Sequence, residues 1–510
     1  MKPIKDKFII LFFPHAIEGG RRVIPLPLLA ISTFIADDYD IRIFQSYDKE
    51  DYLEALEHLD KAICVGISAI TGSQIKDGLD FARLVRQKNK NVPIVWGGVH
   101  TTIKPEQTLK SPEVDIVVRG QGEETFAELV RALDQGRPLN NILGVGYKKD
   151  GQLLINPERP NKSINNFPSL PYHIIDDTIS RFIKRNAYAD RNLIYLSSAG
   201  CPFKCRFCYL GNPAFMQAYD AYPADRVVRE LKHLVDRYHL TGVELRDPNF
   251  FVNEQRCRDI FSGLIKAGIK LKISVLNGRA DQLANYSDDF WKLAEEAGAA
   301  EILIGAESGD QEMLDYIDKR IKVEDILACE MKAKKYKINV FNSFITGFPI
   351  KEENRNNPKG QLKRELNKTV DIIRQLFKIN PIANVVLFYY TPYPGSYLYD
   401  ESVKQGFKDP ASLDEWGEVH LTNLATPWVT RAHKNKAVFL NQLFVLKKIS
   451  SDEHFLEKIK TGSTFYRKIQ WAQKLRINKI LNLIIDFRFK TKFFLFPLES
   501  WLLALARKLK

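Results

Sequence analysis

Three cysteines within eight residues are the strongest chemical signal in the sequence. Cys201, Cys205 and Cys208 are spaced C-x3-C-x2-C on a loop that carries glycine and proline and follows the apolar run LIYL. Thiolates are the usual protein ligands of iron–sulfur clusters, and such a loop can wrap a compact object. Because a four-iron cluster has four irons, three cysteines leave one iron open to an exogenous ligand, as in a catalytic metal centre.

A structural zinc site is the alternative for this loop. Zinc in such a site takes four Cys or His ligands. Neither a fourth cysteine nor a pair of histidines follows within the loop, so the spacing favours a cluster. The remaining cysteines stand alone in apolar or helical stretches and are expected to be reduced core thiols: Cys64, Cys257 and Cys329.

Two α/β stretches must position this loop. In 1–150, short runs rich in Val, Ile and Phe alternate with segments whose apolar residues recur at helical spacing. This alternation predicts a doubly wound, Rossmann-like parallel sheet. The Pro- and Asn-rich segment 151–190 is predicted to be a linker. Over 191–410 the alternation restarts, and six strand–helix units predict a partial (β/α)6 TIM-type barrel with its chemistry at the strand ends.

The C-terminal region is predicted to be helical and basic. We expect an accessory region over 411–462 and a basic amphipathic helical tail over 463–510. The whole chain has a net charge of +13, and its last fifty residues contain eleven Lys or Arg against two acidic residues. This distribution argues against a globally basic protein, so we expect no nucleic-acid partner. The tail either lies at a bilayer interface or packs on the open side of the barrel, and the sequence leaves both open.

The sequence contains no run of eighteen apolar residues. Its N-terminal apolar run is six residues long and lacks a small-residue cleavage site, which is typical of a first strand and not of a signal peptide. We therefore expect a cytoplasmic protein. If the basic tail binds lipid, the protein would also contact the inner face of the membrane.

The cysteine loop resembles that of the radical S-adenosylmethionine (SAM) superfamily, whose C-x3-C-x-aromatic-C motif follows the first barrel strand. The resemblance implies a [4Fe–4S] cluster on Cys201, Cys205 and Cys208, with SAM chelating the open iron through its amino and carboxylate groups. One electron, from a donor such as flavodoxin or ferredoxin, would then cleave SAM to a 5′-deoxyadenosyl radical that abstracts hydrogen from the substrate. Phe207 matches the aromatic position that contacts the adenine.

Later strand ends match the same superfamily in order along the chain. The matching segments are 277–281, 305–309, 344–349 and 391–395. The second resembles the ESG segment near the ribose and carboxylate of SAM, and the third a glycine-containing strand end. The cofactor-binding residues that this resemblance implies are Arg279, Glu307, Ser308 and Gly347.

The N-terminal half resembles the cobalamin-binding domain that precedes the barrel in one large subgroup. Glycines at strand ends let the backbone approach a bulky planar ligand or a nucleotide tail, and nearby hydroxyls can meet its polar edge. The cobalamin-binding residues implied are Ser68, Thr71, Gly97, Gly98, His100, Gly120, Gly122 and Glu123. One departure concerns cobalt. Many such domains carry the segment Asp-x-His-x-x-Gly, whose histidine ligates cobalt. In this chain the loop after the first strand contains His15, but no Asp stands two positions before it.

The resemblances together imply a cobalamin-dependent radical SAM enzyme that methylates an unactivated centre of a small-molecule or lipid-like substrate. The alternative is a radical cyclase, oxidase or carbon–carbon coupling enzyme on a lipid or tetrapyrrole, without methyl transfer. A tRNA methylthiotransferase would need a second cysteine triplet in the first domain, where only Cys64 stands, and is rejected. A cobalamin carrier or a structural zinc protein would leave the thiol triplet at the barrel mouth unexplained.

Overall fold

The N-terminal unit is a seven-stranded sheet with helices on both faces. The computed structural model describes residues 7–15, 22–212, 219–419, 426–449 and 481–494. The strands of this sheet are β1 (Phe8–Phe13), β2 (Asp40–Gln45), β3 (Ala62–Ser68), β4 (Ile94–Gly97), β5 (Ile116–Val118), β6 (Val145–Lys149) and β7 (Gln152–Ile155). Its helices are α1 (Leu26–Ser32), α2 (Lys49–Leu56), α3 (Ser73–Lys88), α4 (Val99–Ile103), α5 (Pro105–Lys110) and α6 (Gly122–Asp134). The strand order is β2-β1-β3-β4-β5-β6-β7, and β1 to β5 are parallel.

Strand β1 shows why this sheet is covered on both sides. Phe8, Ile10 and Phe12 belong to one apolar core, whereas Ile9 and Leu11 belong to another. Successive side chains of a strand point to opposite faces, so a strand buried on both faces is a continuous apolar run. The parallel sheet predicted from such runs is confirmed.

The edge of the sheet differs from the prediction. The run at β6 was expected to continue the parallel alternation, but β6 is antiparallel to both β5 and β7. Asp150 and Gly151, which connect β6 to β7, both have positive φ, at 50° and 75°. Asp-Gly with this backbone geometry is typical of a two-residue hairpin turn. The sheet therefore extends to Ile155, into the segment that was expected to be a linker.

The second unit is an open barrel of six parallel strand positions. Its strands are β8 (Asn192–Tyr195), β11 (Gly242–Leu245), β12 (Lys272–Ser274) with β13 (Leu276–Gly278), β14 (Glu301–Glu307), β15 (Asn339–Thr346) and β16 (Asn384–Tyr389). The short strands β9 (Ser198–Ala199) and β10 (Asp220–Ala221) form a separate antiparallel pair. Val275, at φ +55°, interrupts the third barrel position, so β12 pairs with β11 while β13 pairs with β14. The predicted partial (β/α)6 barrel is confirmed.

Helices cover the outside of the barrel, and further helices come after its last strand in the chain. They are α7 (Ala224–Tyr238), α8 (Glu254–Lys266), α9 (Ala280–Asn285), α10 (Asp288–Glu296), α11 (Gln311–Tyr316), α12 (Val323–Lys335), α13 (Pro358–Ile379), α14 (Tyr397–Lys404), α15 (Leu413–Gly417) and α16 (Arg431–Ile449). Helix α16 lies along the edge strand β16, where the Asn441 side-chain amide both accepts from the Leu387 N–H and donates to its carbonyl, each at 2.8 Å. This contact satisfies backbone groups of a sheet edge.

Most of the predicted basic tail lies outside the described residues. The described part contains a helix at 481–491. Ile485 and Phe489 on one face of this helix are buried, and the Phe489 ring centroid lies 5.9 Å from that of Phe444 in α16. Within the described ranges, every helix is too short or too polar to cross a bilayer.

Candidate active site

The three cysteines lie on a loop between β9 and β10, whose pairing closes its base. Inside the loop, the Cys208 N–H donates to the Cys205 carbonyl at 3.0 Å. The backbone of Arg206 connects the loop to the barrel, because its N–H donates to the Ile317 carbonyl and its carbonyl accepts from the Leu398 N–H, each at 2.9 Å. The loop is thereby held at the carboxyl end of the barrel strands.

The three thiols influence one another electrostatically. Burial raises the pKa of Cys208 to about 11, and the neighbouring Cys205 and Cys201 raise it as well. Burial also raises the pKa of Cys205, an effect that Lys319 and Arg279 oppose. Since metal ligation requires thiolates, binding of a metal centre must release these protons.

The described residues do not provide a site for a single zinc ion. Nowhere among them do three His, Cys, Asp or Glu side chains come close enough to share one metal ion. A structural zinc site requires a compact tetrahedral donor set. The donors of an iron–sulfur cluster bind different irons. The cysteine loop therefore fits a cluster better than it fits the zinc alternative.

Arg279 is a buried cation beside Cys205. Its Nη1 lies 4.0 Å from Cys205 Sγ, and its guanidinium stacks over the Phe203 ring, 3.8 Å from the centroid. Nη2 donates to the Lys319 carbonyl at 2.6 Å, and Nε donates to Asp281 Oδ1 at 3.1 Å. A positive charge fixed in this way stabilises negative charge on the neighbouring sulfur.

Glu307 ends β14 and forms a buried ion pair with Lys319. Glu307 Oε1 lies 2.8 Å from Lys319 Nζ, and the two side chains are 7% and 8% exposed. Burial lowers the pKa of Lys319, but Glu307 and Cys205 outweigh it and hold this pKa above its ordinary value. A cation and a carboxylate therefore stand side by side next to the cysteine loop.

The backbone around this pair is strained. Glu307 has φ +58°, and Asp318 and Arg320, on either side of Lys319, have φ +50° and +55°. Such conformations cost free energy in non-glycine residues and cluster at functional sites. A Cβ at Gly305 would collide with Glu307 Oε1 and Lys319 Nζ, so any other residue there would displace the side chains of this pair.

Lys319 was not among the residues predicted from the sequence. It stands in the charged run Asp318-Lys319-Arg320, which resembles a solvated surface segment. The predicted Glu307 and Arg279 pointed towards this part of the barrel mouth, since Arg279 donates to the Lys319 carbonyl. The ring of Phe207 makes an edge contact with that of Phe348 at 5.9 Å between centroids, which places it beside the strand end that carries Gly347. The buried hydroxyl of Ser308, in contrast, accepts from the Asp310 N–H at 3.1 Å.

A cavity of about 320 Å³ lies between the N-terminal sheet and the cysteine loop. Six of the predicted cobalamin-binding residues line it: Ser68, Gly97, Gly98, Gly120, Gly122 and Glu123. The opposite wall includes residues of the cysteine loop, namely Ala199, Gly200 and Leu210. Burial raises the pKa of Glu123 at this wall. A ligand in this cavity would contact both α/β units.

The glycines of this cavity leave space that a side chain would fill. A Cβ at Gly97 would meet only Val118, at ordinary contact distances of 3.8 Å and above, and a Cβ at Gly120 would meet nothing within 4 Å. Larger side chains at these positions would extend into the cavity. A bare backbone edge of this kind accommodates part of a large cofactor such as cobalamin, so the residues present fit that group.

The structure does not bring Thr71 and His100 to this cavity. Thr71 Oγ1 lies 3.0 Å from His100 Nδ1, and both residues are buried. The His100 ring packs edge-on against Trp416 of α15, with 5.3 Å between centroids. Burial lowers the pKa of His100 to about 3, and Lys104 contributes. These two predicted residues therefore hold the C-terminal segment against the first unit.

His15, at the end of β1, is held by α3. Its backbone N–H donates to Asp77 Oδ2 at 2.9 Å, and its Nδ1 lies 2.9 Å from both Asp77 Oδ2 and Ser46 Oγ. Carboxylates orient metal-binding histidines through the same ring nitrogen. Asp77, in α3, thus fixes the orientation of the His15 ring.

Comparisons with known proteins agree with this division of the chain. Residues 16–130 match the family model of the B12 binding domain, and residues 195–357 match that of the Radical SAM superfamily. The chain is 30% identical over 405 residues to the uncharacterized methyltransferase PH0819 of Pyrococcus horikoshii, which covers 78% of this chain and 83% of the relative.

The chain is also similar to a more distant relative and to a solved structure. Identity to the anaerobic magnesium-protoporphyrin IX monomethyl ester cyclase of Synechocystis sp. is 24% over 405 residues, covering 77% of this chain and 76% of that protein. The fold is similar to that of the cobalamin-dependent S-adenosylmethionine radical enzyme OxsB, with a TM-score of 0.66 at 16% identity, covering 94% of this chain and 72% of OxsB. The chain belongs to the radical SAM enzymes that carry an N-terminal B12-binding domain.

Proposed function

We propose that this enzyme transfers a methyl group from cobalamin to an unactivated centre of a small molecule. The observation that carries the proposal is the cavity that the B12-binding sheet shares with the cysteine loop. When bound, the cluster and SAM supply radical chemistry, and cobalamin supplies the methyl group. The walls of one cavity bring these two chemistries together, and the relative from Pyrococcus horikoshii is also named a methyltransferase.

We assign the cluster to Cys201, Cys205 and Cys208. Arg279, stacked on Phe203 and close to Cys205 Sγ, stabilises the negative charge of the ligated sulfurs. Its hydrogen bonds to Asp281 and to the Lys319 carbonyl fix the guanidinium in place, so this stabilisation needs no reorganisation.

We assign the amino-acid end of SAM to Glu307 and Lys319. An α-amino acid that chelates iron keeps amine N–H donors and a carboxylate, and this pair offers the Glu307 carboxylate to the first and the Lys319 ammonium to the second. Phe207 and the β15 end at Gly347 are assigned to the adenine, because the Phe207–Phe348 contact places them side by side.

The experiment begins with anaerobically purified, cluster-reconstituted protein. Bound cobalamin is measured from its visible spectrum, and 5′-deoxyadenosine is measured after addition of SAM and a low-potential reductant. We expect both. Protein that binds SAM and forms 5′-deoxyadenosine but takes up no cobalamin would overturn methyl transfer.

Radical chemistry without methyl transfer is the second candidate, since the cyclase of Synechocystis sp. aligns over 77% of this chain. Methyl-labelled SAM separates the two candidates. Label that passes to protein-bound cobalamin supports methyl transfer, and label that remains in SAM and methionine supports the second candidate.

We also propose that the C-terminal helices contact an anionic membrane surface, which would bring a lipid-like substrate within reach. In the helix at 481–491, Leu483 and Phe487 are 70% and 62% exposed, opposite the face that packs on α16. Lys490 is exposed one turn beyond Phe487, and an apolar face flanked by basic residues is typical of an interfacial helix. The described part of the tail thus packs on the barrel with one face and leaves the other exposed.

Vesicle co-sedimentation tests this contact. The intact protein should sediment with vesicles that contain phosphatidylglycerol and not with phosphatidylcholine alone. Leu483→Ser/Phe487→Ser should reduce sedimentation several-fold, whereas Met331→Ser, at an exposed apolar residue of α12, should not. Equal binding by all three proteins would contradict the proposal.

A further inference from the structure

The carboxyl end of β15 is closed by a segment far along the chain. Thr346, the last residue of β15, has its Oγ1 3.0 Å from Nε2 of His433 in α16. The next carbonyl, that of Gly347, accepts from Trp428 Nε1 at 3.0 Å. A Cβ at Gly347, which has φ +83°, would lie 3.1 Å from a methyl carbon of Val429. Residues 428–433 therefore hold two consecutive residues of this strand end from one side.

The contact between Thr346 and His433 is buried and uncharged. Both residues are buried. Burial lowers the pKa of His433 to about 4, with Lys436 contributing, so the imidazole is neutral near pH 7. When one partner of a buried hydrogen bond is removed, the other partner is left unsatisfied.

Helix α16 itself is anchored to the barrel. The Asn441 side-chain amide pairs with the Leu387 backbone, and the Tyr389 hydroxyl donates to the Lys434 carbonyl. His433 consequently reaches Thr346 from a fixed support and not from a free chain end.

The strand end held in this way touches the residue assigned to the adenine. Phe348 is buried, and its ring contacts Phe207 at 5.9 Å and Tyr390 at 5.4 Å between centroids. A shift of Thr346 or Gly347 would move Phe348 and, through it, the wall of the adenine site.

We propose that His433 is a positioning residue for SAM, which acts by holding the β15 end at Thr346 against the adenine site. The inference rests on the proposed assignment of Phe207 and Gly347 to SAM. It adds to the SAM site a residue of α16, which lies beyond the region that matches the radical SAM family model.

The test is the dissociation constant of SAM for the anaerobic, cluster-loaded protein, measured by calorimetric titration without reductant. His433→Leu should raise this constant about tenfold, the change expected if about 1.4 kcal/mol of the lost hydrogen bond is expressed in SAM binding. His433→Gln retains a group that can donate and accept, and should stay within about threefold of the wild type. Val438→Ala, at an exposed position of the same helix, is the matched control.

The partner residue provides an independent arm. Thr346→Val should raise the constant by a similar factor, and His433→Leu/Thr346→Val should add little to either single change, because the same bond is lost. If His433→Leu does not fold, the SAM affinities of Thr346→Val and His433→Gln test the role of His433.

Iron content per chain is measured for each variant, so that loss of the cluster is distinguished from loss of SAM binding. Wild-type affinity in His433→Leu or Thr346→Val, or equal weakening by Val438→Ala, overturns the inference and leaves the proposed function intact. Wild-type protein that contains the cluster but binds no SAM overturns both.

Discussion

Lys319 Nζ lies 2.8 Å from Glu307 Oε1 in a place where water scarcely reaches either side chain. Removing two charges from water costs several kcal/mol per ion, and a buried pair seldom repays that cost in stability. Glu307 also occupies a left-handed backbone conformation, which adds about 1–3 kcal/mol of strain. The fold thus maintains a costly arrangement beside the cysteine loop, which supports a binding role for the pair.

Breaking this pair should affect stability and SAM binding separately. Lys319→Met leaves the Glu307 carboxylate buried without its partner and should destabilise the protein by about 3–5 kcal/mol. The double variant Lys319→Met/Glu307→Gln should recover most of the stability, because no unpaired charge remains, but should not recover SAM affinity. Thermal unfolding and SAM titration measure the two effects.

The exposed pair Lys335–Asp288 provides the control, since its side chains are more than half exposed. Lys335→Met should change neither measurement. A double variant that binds SAM as tightly as the wild type would show that the pair is only structural.

Removal of any cluster cysteine should abolish the cluster. Cys201→Ala, Cys205→Ala and Cys208→Ala should each reduce iron after anaerobic reconstitution and should abolish 5′-deoxyadenosine formation, because the remaining thiolates hold the cluster poorly. Cys329→Ala is the matched control, since Cys329 is buried in α12 away from the loop. Full iron content and turnover in any of the three loop variants would refute the ligand assignment.

The site residues that could be predicted from the sequence belong to short, local motifs. Cys201, Cys205 and Cys208 come soon after one apolar strand, and Gly97 and Gly120 lie at the ends of two others. The residue types and their place at strand ends can therefore both be recognised from the local sequence. The continuous apolar runs likewise predicted buried parallel strands.

The residues that the sequence missed, and those that the structure places away from the cavity, depend on contacts between distant parts of the chain. Thr71 and His100 follow strands of the first unit, but Trp416 packs against His100 from α15 and accounts for their burial. Lys319 stands in a charged run, and only the fold buries it against Glu307. His433 lies 87 residues beyond its partner Thr346. No spacing rule connects such pairs.

Filling the shared cavity should prevent cobalamin binding without unfolding the protein. Gly97 lacks positive φ and has open space before it, so Gly97→Leu can project into the cavity without backbone strain. We expect bound cobalamin to fall at least tenfold while the SAM-binding barrel keeps its cluster. Visible spectroscopy after cobalamin loading and desalting measures the change.

Thr71→Val is the informative comparison, because the Thr71 hydroxyl contacts His100 and Thr71 is not among the described residues that line the cavity. It should retain cobalamin while losing some stability, about 1–3 kcal/mol for the unsatisfied buried ring nitrogen. Equal cobalamin loss in both variants would place Thr71 back in the binding site.

Acid should destabilise the protein through His100. Burial holds the pKa of His100 at about 3, against an ordinary value of 6.5. Above pH 6.5 neither the folded nor the unfolded state protonates this ring, and its contribution to stability is fully present. As the pH falls from 6.5 towards 3, the unfolded chain takes up a proton that the folded protein excludes, so stability falls by up to about 1.4 kcal/mol per pH unit.

His100→Gln removes this titration while keeping a side chain that can accept from Thr71, so its midpoint of thermal unfolding should fall less steeply between pH 6.5 and 4.5 than that of the wild type. His433, which burial also keeps neutral, contributes to the acid sensitivity of both proteins, and the difference between them therefore isolates His100. His173→Gln, at a half-exposed side chain, should follow the wild-type curve. Parallel curves for the wild type and His100→Gln would mean that the folded protein accommodates a charged His100, which its packing against Trp416 argues against.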